Sequence, residues 1–157
     1  MCTNGRGTNS VKPPVRRCSS RVLTRWRAQC TGGFTEFVPL PFVHMASPIY
    51  LQHRARRGPT FRETVLMHAV GRIAYRGLID NVQASWVKIG VDGCRQLLRA
   101  GVNDLGGTLM NENISRAAGA EHGQGMEPSD FAAVVAPLGR RLTQRSTTYT
   151  EPAPALR

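Results

Sequence analysis

Asn103 and Asp104 are the first residues in this chain whose position calls for a chemical explanation. They interrupt a short apolar segment, Gly101-Val102-Asn103-Asp104-Leu105-Gly106-Gly107-Thr108-Leu109-Met110-Asn111-Glu112, where a buried strand would hold Val or Ile. Polar side chains there are costly unless paired, so they serve a ligand or a tight turn. The glycine pair behind them allows positive φ and lets the backbone approach a ligand closely. Turn chemistry alone would explain all four residues equally well. Other polar groups sit in comparable places. Glu36 lies among Phe34, Phe37, Val38 and Leu40, His44 follows at a strand exit, and Gln83 and Ser85 end a second apolar run. The four cysteines, Cys2, Cys18, Cys30 and Cys94, have no CxxC or CxxxCxxC spacing. That argues against a zinc or iron–sulfur site built from this chain alone.

Three strand–helix units would carry these groups. Gly33 to Phe42 reads as a buried strand that Pro39 and Pro41 bring to an end. Thr60-Phe61-Arg62-Glu63 has the form of a capping box, and opens a helix with Phe61, Val65, Leu66, Ala69, Val70 and Ile73 on one face. Gly77 closes it. Asn81 to Val87 is the second strand, and Asp92 begins a helix with Cys94, Leu97 and Leu98 inward and Gly101 as its stop. The Asn103–Asp104 segment is the third strand. Short helices follow at Ile114 to Ala120 and Phe131 to Leu138, the last weakened by Pro137. Alternating β and α elements imply a parallel sheet with right-handed crossovers, whose ligand sits beyond the strand C-termini. Glu36, His44, Gln83, Ser85, Asn103, Asp104 and Glu112 all fall at or near those ends.

The chain has 157 residues and a net charge of +11, nearly all of it from arginine, since only Lys12 and Lys88 are lysines. That length suits one domain with its own core. The basic balance raises the alternative of a nucleic-acid-binding protein. Against it, the arginines are spread along the chain without interleaved aromatics. Pro48 to Gly58 reads as a long loop whose only charges are Arg54, Arg56 and Arg57, a solvated surface or an anion contact. No apolar run approaches the ~20 residues that span a bilayer, and a reducing, cytoplasmic setting fits best. Three regions are expected: a disordered basic leader over 1–20, the α/β body over 21–139 opening with a helix at Arg21 to Gln29 and a Gly32-Gly33 stop, and a polar surface tail over 140–157.

Five segments together resemble the C-terminal part of the radical S-adenosylmethionine half of FO synthase. They are Gly32-Gly33-Phe34-Thr35-Glu36-Phe37-Val38-Pro39-Leu40-Pro41-Phe42-Val43-His44, Gln83-Ala84-Ser85-Trp86-Val87-Lys88, Asn103-Asp104-Leu105-Gly106-Gly107-Thr108-Leu109-Met110, Ser115 to Gly123, and Gln144-Arg145-Ser146-Thr147-Thr148-Tyr149. The resemblance runs from about Val22 to Thr150. It implies a (β/α)8 barrel, of which this chain would hold the last three βα units. It further implies a [4Fe–4S] cluster that cleaves S-adenosylmethionine to give a radical that attacks tyrosine. The 4-hydroxybenzyl group then joins 5-amino-6-(D-ribitylamino)uracil, and a second FO synthase subunit or domain closes the deazaflavin ring. The cluster motif and upstream strands are missing, so the chain alone is expected to bind neither group and to be inactive, or to pair with a separate N-terminal fragment. Radical enzymes of the futalosine route to menaquinone share the Ser85-Trp86 and Asn103–Thr108 segments. The prolines of Glu36 to Phe42 favour FO synthase.

Overall fold

Proline and glycine set the lengths of the strands. In the computed structural model, which describes residues 34–150 apart from Met110 and Gln124, β1 (Glu36–Phe37) lies parallel to β2 (Asn81–Val82). Glu36 is opposite Asn81 and Phe37 opposite Val82. A single parallel bridge joins Gln83 to Asp104, so the third strand is one residue pair. The three expected strands are present as parallel neighbours, but each is much shorter than its apolar run. Pro39 and Pro41 have no N–H to continue β1. Ser85, extended at φ −86°, already caps the next helix, and Gly106 at φ 78° turns the chain away after Leu105. The leader over 1–20, the Arg21 to Gln29 helix, its Gly32-Gly33 stop and residues 151–157 lie outside the described residues.

Between the strands run α1 (Pro48–Leu51), α2 (Phe61–Ala74) and α3 (Trp86–Arg99); after the third strand come α4 (Ile114–Ala117) and α5 (Pro128–Val135), the last running on into a 3₁₀ turn over Ala136–Leu138. The expected basic loop therefore contains a helical turn. The capping box forms as read: Thr60 Oγ1 accepts from Glu63 N at 3.2 Å, and Thr60 N donates to Glu63 Oε2 at 2.6 Å. Trp86 and Val87 belong to α3 and not to a strand. Gly90, at φ 74° and ψ 172°, breaks that helix, and regular turns resume near the expected start at Asp92.

One core cluster holds Val82, Ala84, Trp86, Cys94, Leu97, Leu98, Val102, Leu105, Phe131 and Val134. Trp86 meets Phe131 edge-on with ring centroids 6.4 Å apart. The helix α2 presents a different face from the one its periodicity suggested. Thr64, His68 and Gly71 are buried, while Leu66, Val70 and Ile73 are exposed, Ile73 at 78%. Gly71 explains the choice. A Cβ there would lie 2.4 Å from Cε1 of Phe37, so the glycine lets α2 settle directly on the β1 ring, with Tyr75 4.9 Å beyond it. Close backbone approach outweighed the larger apolar stripe, whose Leu66, Val70 and Ile73 stay exposed.

Candidate functional site

Asp104 is the centre of a polar cluster along the parallel pairings, where it bridges Gln83. Glu36 stands at the start of β1, opposite Asn81, and not at the strand's C-terminal end, because the prolines leave β1 only two residues long. Its backbone is fixed by the sheet: Asp104 N donates to Val82 O at 3.2 Å, and Ala84 N donates to Asp104 O at 2.9 Å. Its carboxylate is 8% exposed and bonded on both oxygens. Oδ1 accepts Gly106 N at 2.7 Å, a bond that needs the positive φ of Gly106. Oδ2 accepts Arg145 Nε at 2.8 Å, pairs with Arg145 Nη2 at 2.6 Å and accepts the Tyr149 hydroxyl. The same hydroxyl lies 2.6 Å from Glu36 Oε2. Glu36 from β1 and Asp104 from the third strand therefore meet through a residue of the tail.

Gln83 belongs to the same cluster. A Cβ on Gly106 would come within 2.5 Å of Gln83 Nε2, so the glycine makes room for that amide. At Gly107 a Cβ would meet open space; its carbonyl accepts Trp86 Nε1 at 3.2 Å. Of the glycine pair, only the first has the close approach read from sequence. A cleft of about 750 Å³ opens beside the cluster, with Asn103, Asp104, Gly106, Arg141, Arg145 and Tyr149 among its walls.

The other expected site residues have local partners. Asn103 Oδ1 accepts Val82 N at 2.8 Å and Arg72 Nη2 at 2.5 Å, which ties the third strand to β2 and α2. His44 Nδ1 accepts Gly58 N at 3.1 Å, and its ring stands edge-on to Tyr50. Glu112 Oε1 accepts Ser115 N at 2.8 Å at the start of α4, and this backbone N–H holds its carboxyl below the usual range. Ser85 caps α3 through its backbone alone. The structure thus brings together Glu36, Gln83 and Asp104, and gives His44, Asn103 and Glu112 framework contacts.

Arg145 and Tyr149 are the site members that reading the residues one by one left in a surface tail. Ser146 Oγ accepts Thr150 N at 3.0 Å and lies 2.6 Å from Thr150 Oγ1, closing a tight strap. The strap holds Tyr149 at φ 61° with the Arg145 guanidinium 4.0 Å from its ring centroid. Burial, then the bonds to Asp104 and Glu36, push the phenol above its ordinary range, so it stays a donor. An arginine and a tyrosine among Ser and Thr were the available signal.

The described residues form a parallel α/β unit with polar groups of neighbouring strands gathered together. Residues 31–151 match the family described as the CofH/MqnC C-terminal region, and the chain belongs to that family. It is 52% identical to the FO synthase of Nocardia farcinica over 119 residues, 76% of this chain and 14% of the relative. It is 46% identical to the 5-amino-6-(D-ribitylamino)uracil–L-tyrosine 4-hydroxyphenyl transferase of Methanothermobacter thermautotrophicus over 141 residues, 90% of this chain and 38% of the relative. The transferase of the same name from Methanopyrus kandleri is 53% identical over 76% of this chain and 32% of its own length. The chain thus spans well under half of these relatives.

Proposed function

We propose that this chain is the C-terminal part of a radical S-adenosylmethionine transferase that joins the 4-hydroxybenzyl group of tyrosine to 5-amino-6-(D-ribitylamino)uracil, in a cytoplasmic, reducing setting. In this reading its three βα units are the last three of a (β/α)8 barrel, and the Glu36, Gln83 and Asp104 cluster faces the substrates. The observation that supports it is the meeting of Glu36 and Asp104, from separate strands of one parallel sheet, at the Tyr149 hydroxyl. Among the described residues β1 pairs with β2 alone, and its other side, with the exposed Leu66, Val70 and Ile73 of α2, offers upstream units a strand to pair with and a face to cover.

The described residues do not suit an iron–sulfur cluster. Cys94 is buried, and burial pushes its thiol up to about 12, away from the thiolate such a cluster needs. The cluster and S-adenosylmethionine are assigned to the portion of the relatives outside the matched region. No helix among the described residues is long and apolar enough to cross a membrane.

A chimera tests the reading: residues 31–151 of this chain replace the matched region of the Methanothermobacter transferase. It is expected to form the coupled product. Asp104→Asn in that chimera should leave folding and cluster content unchanged and lower turnover about tenfold or more, each tenfold being ~1.4 kcal/mol of barrier. Lower thermal stability with unchanged turnover per folded molecule would make Asp104 a structural residue and remove it from the substrate edge.

A further inference from the structure

Charge does not balance in the cleft of about 750 Å³ beside Asp104. Arg140, Arg141 and Arg145 line it, and Asp104 is the one carboxylate among its walls. Arg145 places its fork on Asp104, with Nε at 2.8 Å and Nη2 at 2.6 Å, so those two charges cancel. Arg140 donates Nη1 to the Val102 carbonyl at 3.2 Å, a neutral partner that leaves its charge in place. Arg141 is exposed, and its side chain has no hydrogen bond or ion pair among the described residues.

Solvated arginines are ordinary on a convex surface, and the shape of this cleft sets the pair apart. Leu98, Phe131 and Val135, all buried members of the core, line it as well. Charge of one sign in a concavity with low-dielectric walls focuses the field and concentrates anions there. Neutral donors stand by. Gly107 and Thr108 line the same cleft, and their backbone N–H groups have no acceptor among the described residues. A Cβ built on Gly107 would meet nothing within 4 Å, so the space beside it is open.

We propose that this cleft binds a phosphate monoester with an aromatic or apolar body of mononucleotide size, its phosphate held by Arg140 and Arg141 and its body lying over the apolar walls. The two uncompensated guanidinium charges match a group that carries about −1.5 to −2 at neutral pH, whereas a carboxylate would balance only one of them. Guanidinium forks also fit pairs of phosphate oxygens. The volume falls in the range of about 300–1,000 Å³ usual for small-molecule sites. Neither tyrosine nor 5-amino-6-(D-ribitylamino)uracil carries a phosphate, so this site goes beyond the transfer reaction proposed above and does not rest on it.

The test uses this chain with adenosine 5′-monophosphate as probe and adenosine as the same body without phosphate, followed by amide NMR. The monophosphate is expected to bind about tenfold or more tightly, the worth of one hydrogen bond between charged groups. Its shifts should fall on Gly107, Thr108 and Arg141, and inorganic phosphate should compete with it. Arg141→Gln breaks no bond of the fold, and should weaken the monophosphate about threefold or more while leaving adenosine unchanged. Arg141→Lys, which keeps the charge without the fork, should fall between. Arg54→Gln removes another exposed, unpartnered arginine outside the cleft and should change neither ligand. Equal affinity for the two compounds, equal losses in Arg141→Gln and Arg54→Gln, shifts confined to residues outside the cleft, or no binding at millimolar concentration would each overturn the proposal.

Discussion

Arg72 reaches from α2 to Asn103, 31 residues later, and donates Nη2 to its side-chain oxygen at 2.5 Å. Its Nε donates to Gly101 O and its Nη1 to Asp80 O, both at 2.6 Å. Asn103 Oδ1 also accepts Val82 N, so this side chain stands in for a strand carbonyl where the ladder is too short to supply one. A polar residue in a buried run can thus be a substitute for backbone.

Asn103→Ala should therefore cost about 1–3 kcal/mol, the penalty for leaving the Val82 N–H and one arm of Arg72 without acceptors. Urea denaturation measures it. Arg72→Lys should lose a comparable amount, since an ammonium cannot reproduce a planar fork. A change under about 0.5 kcal/mol in both variants would show that water replaces these bonds freely.

Gly90 and His122 form a second testable pair. Gly90 has a backbone conformation essentially reserved for glycine, and a Cβ there would lie 2.6 Å from His122 Cε1. Gly90→Ala should cost about 1–3 kcal/mol for the backbone alone, plus the clash. Adding His122→Ala should return the clash part and leave the backbone part. If the double variant is as stable as His122→Ala alone, the φ cost assigned to Gly90 is wrong.

Glu63 governs the acid limb of stability at the start of α2. The Thr60 backbone N–H, then its hydroxyl, then Arg57 hold this carboxyl down to about 2, against about 4.3 for an unstructured chain. A carboxyl lowered on folding stabilises the folded state above its unfolded value, and that contribution fades as pH falls from there through about 2. NMR titration should place the Glu63 midpoint near 2. In Glu63→Gln the loss of helix on acidification should be shallower across that window. A Glu63 midpoint above 4 would show the capping box open in solution.

Local signals in the sequence were read well where one interaction decides the outcome. Thr60 and Glu63 cap α2, Gly77 and Gly101 take positive φ near the helix ends, and Pro39 and Pro41 coincide with the end of β1. The parallel pairing of the strands was legible too, because alternation of β and α elements implies it. The face of α2 was not. Periodicity counts apolar side chains, whereas Gly71 acts by having none, and its value depends on a ring 34 positions earlier at Phe37. Gln83 and Asp104 meet as the bridge between β2 and the third strand. Tyr149 and Arg145 escaped notice because the tail carries no periodicity, and their importance appears only once Glu36 and Asp104 are neighbours.

The bond from Glu36 to Tyr149 joins residues 113 apart in the chain. Closing so large a loop costs more chain entropy than the helix caps or the α3–α5 packing, and a few hydrogen bonds repay it only after the sheet is in place. Refolding is therefore ordered in time. The core around Leu97 and Val102 is expected to condense first and the strap to dock afterwards, so substitutions at Arg145 or Tyr149 should speed unfolding while leaving the folding rate almost untouched. The polar edge is the last part of the described chain to form and the first to open.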